Sequence, residues 1–216
     1  MKSLHRVIGV DESGKGDFFG PLVIAAFLAD DNDSALLRAI GVRDGKQISD
    51  KKIIEIDREL RADYAHAVVV IEPAKYNKIY KEIKNLNKLL ADGHADAMAQ
   101  VLKKNDAELA ISDKFGKSEL VESALVRRKL SIELRQVVRG ESIVQVAAAS
   151  ILARARFILE MQRLSDEFSF ELPRGAAAHV DEAGRRIVAL HGREVLERVG
   201  KTHFKNFHRI VNPTLF

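Results

Sequence analysis

Three short strand-like segments in this chain each lead into an acid. VIGV (Val7–Val10) leads into Asp11 and Glu12, LAIS (Leu109–Ser112) into Asp113, and IELRQVVRG (Ile132–Gly140) into Glu141. Short apolar runs closed by polar turns read as strands. Acids at strand ends, or at the start of a following helix, can converge at one edge of a sheet. Gathered carboxylates repel one another unless a cation neutralises them. Hard oxygen ligands select magnesium or manganese over zinc. Two such ions about 3.5–4 Å apart can clamp the attacking water and the leaving oxygen of a phosphodiester. Taken singly, each acid also reads as a cap or a surface residue. Glu141 fits that alternative best, because an acid ahead of a helix is common.

The rest of the chain predicts the frame for these acids. Strands are expected at 5–10, 21–28, 64–71, 108–111 and 131–137. PLVIAAFL (Pro21–Leu28) is nearly continuous in its apolar character, as a strand covered on both faces would be. Helices are expected from Asn32 or Asp33 to a stop at Gly41, then over 50–61, with Ser49 ahead of it, 75–83, 87–104, 117–128, 142–168, 181–191 and 193–199. The fifth of the seven fully bounded helices centres on the small-residue run VAAASILARA, which permits close approach to a sheet. Strands alternate with helices, so the class is α/β. The first strands stand too close in sequence for helical crossovers, which implies an antiparallel meander inside a mixed sheet. No repeat, low-complexity tract or long linker divides the chain, and a single domain over 1–216 is expected.

Composition narrows the chemistry. The chain has no cysteine, which excludes a disulfide framework and thiolate zinc. No stretch approaches the roughly 20 apolar residues of a membrane span, and the N-terminus lacks the apolar run of a signal peptide. A cytoplasmic protein is expected. Net charge is only +4, but the tail from Gly184 concentrates Arg185, Arg186, Arg193, Arg198, Lys201, Lys205 and Arg209 against Glu194 and Glu197. A second basic group is Arg127, Arg128, Lys129, Arg135 and Arg139. Either is a solvated helix face or a surface for a polyanion. Lys201 and Lys205, four apart, would share a face if helical.

Directly after Asp11-Glu12 comes Ser13, then Gly14-Lys15-Gly16. Glycines let backbone N–H groups approach a ligand, and Lys15 can meet a phosphate. A bare GKG is also an ordinary turn, and GxxxxGK[ST] is absent. The histidines show no HExxH spacing, and GxSxG is missing. Ser13 and Ser150 are therefore expected to support structure or contact substrate, not to act as nucleophiles.

DESGKGDFFGPLV (Asp11–Val23) resembles the first motif of the type 2 ribonucleases H, and ribonuclease HIII in particular. Further similar stretches run along the chain: DGKQISDKKI from Asp44, YNKIYKEIKNLNKLLADGHADAM from Tyr76, ISDKFGK from Ile111, RGESIVQVAAASILAR from Arg139, LPRGAAAHVD from Leu172 and KTHFKN from Lys201. The resemblance implies a ribonuclease H-like fold with a central mixed sheet, flanking helices and C-terminal helices. It implies Asp11, Glu12, Asp113 and Glu141 as metal-binding catalytic acids and two Mg²⁺ or Mn²⁺ ions. It also implies endonucleolytic cleavage of the RNA strand of an RNA/DNA hybrid, leaving 5′-phosphates. Gly14, Lys15 and Gly16 match the loop that reads ribose 2′-hydroxyls, the group that distinguishes RNA from DNA. Asp44-Gly45-Lys46 stands where the family usually has Asp-Ser-Lys, so Lys46 is kept and a hydroxyl is not. Ser13, Ser150, Lys201 and Lys205 complete the expected substrate contacts. Ten residues precede Asp11, where ribonuclease HIII usually has a substrate-binding domain, and the chain is expected to lack that domain. A monomer needing no protein partner is expected. Cleavage at single embedded ribonucleotides, as in ribonuclease HII, and non-catalytic hybrid binding are the alternatives.

Overall fold

The computed structural model of the chain describes residues 6–43 and 48–212. Its sheet is mixed and five-stranded, with β1 (Arg6–Ser13), β2 (Leu22–Asp30), β3 (His66–Ile71), β4 (Leu109–Asp113) and β5 (Glu133–Val137) in the order β3-β2-β1-β4-β5. The helices are α1 (Ser34–Ile40), α2 (Asp50–Asp63), α3 (Pro73–Ile83), α4 (Leu86–Leu102), α5 (Ser118–Arg127), α6 (Val144–Glu167), α7 (Ala178–His191), α8 (Val195–Val199) and α9 (Lys205–Val211). β2 is buried along its length except for Asp30, as its apolar run requires. The first three strands are neighbours in the expected order, within a mixed sheet. β2 and β3 are neighbours, but α1 and α2 lie between them in sequence.

Local chemistry sets several boundaries. Gly41 ends α1 at φ 108°, a left-handed conformation that favours glycine. The Ser49 hydroxyl caps α2 by accepting from the Lys52 N–H. Asn85 does the same for α4 through Lys88. Pro73 opens α3 at its first turn, where no amide hydrogen is needed.

The described residues gather into two compact units. The first holds those up to Glu12, with Ile24–Val69 and Asn85–Arg156. Most of the sheet lies there. A Cβ on Gly9 would come within 2.1 to 2.4 Å of backbone atoms of Gln145 and Val146, so β1 meets the start of α6 backbone to backbone. Ala147, Ala148 and Ala149, all buried, continue that closely packed segment.

The second unit holds Ser13–Val23, Val70–Lys84 and the described residues from Phe157 onward. Phe18, Phe19, Tyr76, Val180, Ile187, Leu196 and Val199 are buried within it. The Asn77 amide donates to the Gly200 carbonyl at 2.9 Å and accepts from the Thr202 N–H at 2.9 Å, tying α3 to the segment after α8.

Candidate active site

The acids are positioned by strand register. β1 and β4 run parallel, with Val10 opposite Ser112. The next residues along the two strands are Asp11 and Asp113. β4 runs parallel to β5, with Asp113 opposite Val137. The chain then turns through Arg139, at φ 59°, into a tight 3-10 turn over Gly140–Ser142. A Cβ on Gly140 would sit 3.1 Å from the Asp113 backbone N and Cα. Glycine lets the turn pass this close without displacing the β4 backbone, and the turn carries Glu141 next to the end of β4. Glu141 therefore lies in its own turn, ahead of α6, and the long helix begins at Val144.

The carboxylates of Asp11, Asp113 and Glu12 are each held by protein groups. Asp11 Oδ1 accepts from the Glu12 N–H at 2.8 Å, and the Ser150 hydroxyl also bonds Asp11. Asp113 Oδ1 accepts from the Gly140 N–H at 3.0 Å. Glu12 Oε2 is 3.0 Å from Nε2 of His94, a fully buried residue of α4. Burial pushes the Asp11 carboxyl up to about 7, and the Glu12 charge adds to this; the Glu12 amide, Ser150 and His94 oppose it. Two adjacent carboxylates in partly desolvated surroundings favour either a proton or a cation.

The donors are carboxylate oxygens, which suit a hard divalent ion. Among the described residues, however, no three Asp, Glu, His or Cys side chains are gathered closely enough to hold a metal ion as they stand. The backbone places the acids at neighbouring strand ends, and the side chains occupy the protein bonds just named. The residues fit a divalent cation by donor chemistry.

The glycine turn belongs to the second unit. Gly14 has φ 86°, and a Cβ there would be 2.2 Å from the Pro21 carbonyl oxygen. Gly16 is exposed and opens onto free space. Asp17 Oδ1 accepts from the Gly175 N–H at 2.7 Å.

The same unit corrects the expectation for Lys201. Its side chain is 0% exposed, and Nζ donates to the carbonyls of Asp17 at 2.8 Å, Gly20 at 2.7 Å and Phe19 at 3.5 Å. An ammonium occupied by three internal carbonyls does not reach a phosphate. Nor do Lys201 and Lys205 share a helical face, because α9 starts only at Lys205. Lys205 is exposed. His203 stacks on Tyr80, with ring centroids 4.1 Å apart. Much of the remaining basic charge is paired: Arg209 with Asp181, Arg198 with Glu167, Arg127 with Asp92, and Arg128 with Asp92 and Asp96. Lys46 lies outside the described residues. The Ser150 hydroxyl serves Asp11, and Ser13 ends β1.

A family profile described as ribonuclease HII matches residues 8–207. The chain belongs to the ribonuclease HII family. Among curated relatives, ribonuclease HIII of Protochlamydia amoebophila is 43% identical over 204 residues, covering 94% of this chain and 68% of that protein. Ribonuclease HIII of Chlamydia abortus is 44% identical over 216 residues, covering 99% and 72%. Among solved structures, Bst ribonuclease HIII in complex with Mn²⁺ matches with a TM-score of 0.90 at 35% identity, over 96% of this chain and 69% of that one. This ribonuclease is thus a divalent-metal-dependent hydrolase with ribonuclease H-type endonuclease activity. The family acts on RNA/DNA hybrids. Among the described residues, no helix is long and apolar enough to cross a membrane.

His94 is the site residue that sequence reasoning missed. Its signal is its place on the buried stripe Leu90, His94, Ala97 and Val101 of α4, where an apolar residue is the ordinary occupant.

Proposed function

We propose that this chain cuts the RNA strand of RNA/DNA hybrids internally, with two Mg²⁺ or Mn²⁺ ions held by Asp11, Glu12, Asp113 and Glu141, and leaves 5′-phosphate ends. The observation that carries this reading is the parallel register that sets Asp11 and Asp113 at adjacent strand ends, with Glu141 brought up by the Gly140 turn. Bound divalent ions supply a water of lowered pKa and offset charge building on the departing 3′ oxygen.

The protein's own part is positioning. The Glu12 amide and Ser150 hydroxyl orient Asp11, and the Gly140 amide orients Asp113. Ser13, Gly14, Lys15 and Gly16 present backbone and side-chain groups to ribose 2′-hydroxyls and a neighbouring phosphate. Lys205, exposed at the start of α9, adds a phosphate contact that carries affinity without sequence information. Lys46 keeps its proposed contact on the strength of the family resemblance. The chain is proposed to be a single catalytic domain over 1–216, in a cytoplasmic monomer.

The test is cleavage of an end-labelled RNA/DNA duplex in Mg²⁺, with and without EDTA, by wild type and Asp113→Asn. Internal cuts with ligatable 5′-phosphates, lost with EDTA and in the variant while hybrid binding persists, are expected. Cleavage by Asp113→Asn at the wild-type rate removes Asp113 from the catalytic set.

A further inference from the structure

His94 occupies a position that simple packing would give to an apolar side chain. Leu90, Ala91, Ala95, Ala97 and Met98 around it on α4 are all buried, and His94 itself is 0% exposed. Its ring is set edge-on to Phe115, with centroids 4.8 Å apart and planes at 62°. Among the described residues its Nδ1 is buried without a hydrogen-bond partner. Unpartnered buried polar atoms are uncommon and destabilising. Phe or Met at this position would remove that defect.

What the imidazole supplies in return is one polar bond. Nε2 meets Glu12 Oε2 at 3.0 Å, across 82 residues of sequence. An ionised carboxylate only accepts hydrogen bonds, so the proton on Nε2 faces Glu12, and Nδ1 points away into the core without a partner. The Glu12 contact therefore accounts for the ring's orientation and for the orphaned nitrogen together. A glutamate has several rotatable bonds, and a donor fixed in a buried helix wall limits where its carboxylate can go. Ligating carboxylates are commonly held this way by outer partners.

We propose that His94 is a positioning residue that holds the Glu12 carboxylate in place for a divalent ion. This rests on the reading of Glu12 as a metal ligand. His94 does not touch the reacting atoms and acts through Glu12.

The experiment is Mn²⁺ titration of the full chain by calorimetry, with thermal melts alongside. His94→Phe should weaken Mn²⁺ binding about 10–100-fold, the usual cost of losing an outer partner, with no loss of melting temperature. His94→Met, which also lacks a donor, replaces it if the phenyl ring does not fit. His94→Gln places an amide N–H close to where Nε2 lies and should restore most of the affinity. Wild-type Mn²⁺ affinity in His94→Phe overturns the inference. So does an equal loss in the Phe and Gln variants that follows a fall in melting temperature, because His94 would then be a packing residue. Glu12→Gln separates the two levels. If it binds Mn²⁺ like wild type, the ligand role of Glu12 fails; if it loses binding while His94→Phe does not, only the role of His94 fails.

Discussion

Replacing Lys201 with Met should change how stability follows pH. Burial pushes the Lys201 ammonium from its ordinary 10.5 down to about 7, and the Asp17 charge pulls it partly back. The unfolded chain keeps this proton up to about 10.5, while the folded chain releases it near 7. Below pH 7 both states are protonated, and the cost of the buried charge is present in full. Between the two values the unfolded state binds more protons, so stability rises with pH. At 1.36 kcal/mol per pKa unit, the gain is about 2 kcal/mol from pH 7 to 9 and about 5 kcal/mol across the whole window. Met removes the titrating group and with it this slope. It also strips the close donor from the Asp17 and Gly20 carbonyls, at a cost of about 1–3 kcal/mol each. Urea unfolding at pH 7, 8 and 9 reads both effects. The wild type should gain about 2 kcal/mol over the variant across that range. A second readout is His203, whose pKa is lowered to about 4 by burial and then by the Lys201 charge. It should rise in the variant by nuclear magnetic resonance titration. Parallel stability profiles for the two proteins from pH 7 to 9 would refute the reasoning.

Three further outcomes are expected. Glu141→Gln should depress cleavage strongly in Mg²⁺ and recover partly in Mn²⁺; a wild-type rate in Mg²⁺ would show that the acid serves only its turn. Gly9→Ala should destabilise by about 3 kcal/mol or more, because the new methyl meets backbone of α6. Gly184→Ala, which meets the movable end of Ile210, should cost less, and chemical denaturation showing the reverse order would contradict this packing. Finally, duplexes with several consecutive ribonucleotides should be cut faster than duplexes with one, and equal rates would point to ribonuclease HII-like specificity.

Elements with strong local signals were legible in the sequence. Gly41 and Ser49 are caps whose chemistry acts within one turn, and β2 announces its burial through an unbroken apolar run. The placing of Asp11, Glu12 and Asp113 at strand ends was equally readable. The exact start of α6, and hence the separate turn around Glu141, depends on the Gly140 approach to Asp113, a contact made between distant segments. α9 was not expected. It is seven residues long, and Asn206 and Arg209 are held on it by Asp181 of α7. Lys201 was misplaced on the surface because lysine is rarely buried, and nothing in KTHFKN discloses the three carbonyls waiting for it.

The pairing of β1 with β4 has a consequence for how the molecule comes into being. Asp11 leaves the ribosome about a hundred residues before Asp113, which at roughly 5–20 residues per second means a delay of several seconds or more. Throughout that interval β1 lacks its β4 neighbour, and its pairing edge on that side is bare. Closing so long a loop is a slow, non-local event. The nascent chain therefore cannot assemble this pair of acids until β4 has been made, and on the proposed assignment of the acids hydrolytic competence appears only late in folding. Until then the free edge of β1 is a place where another strand could add.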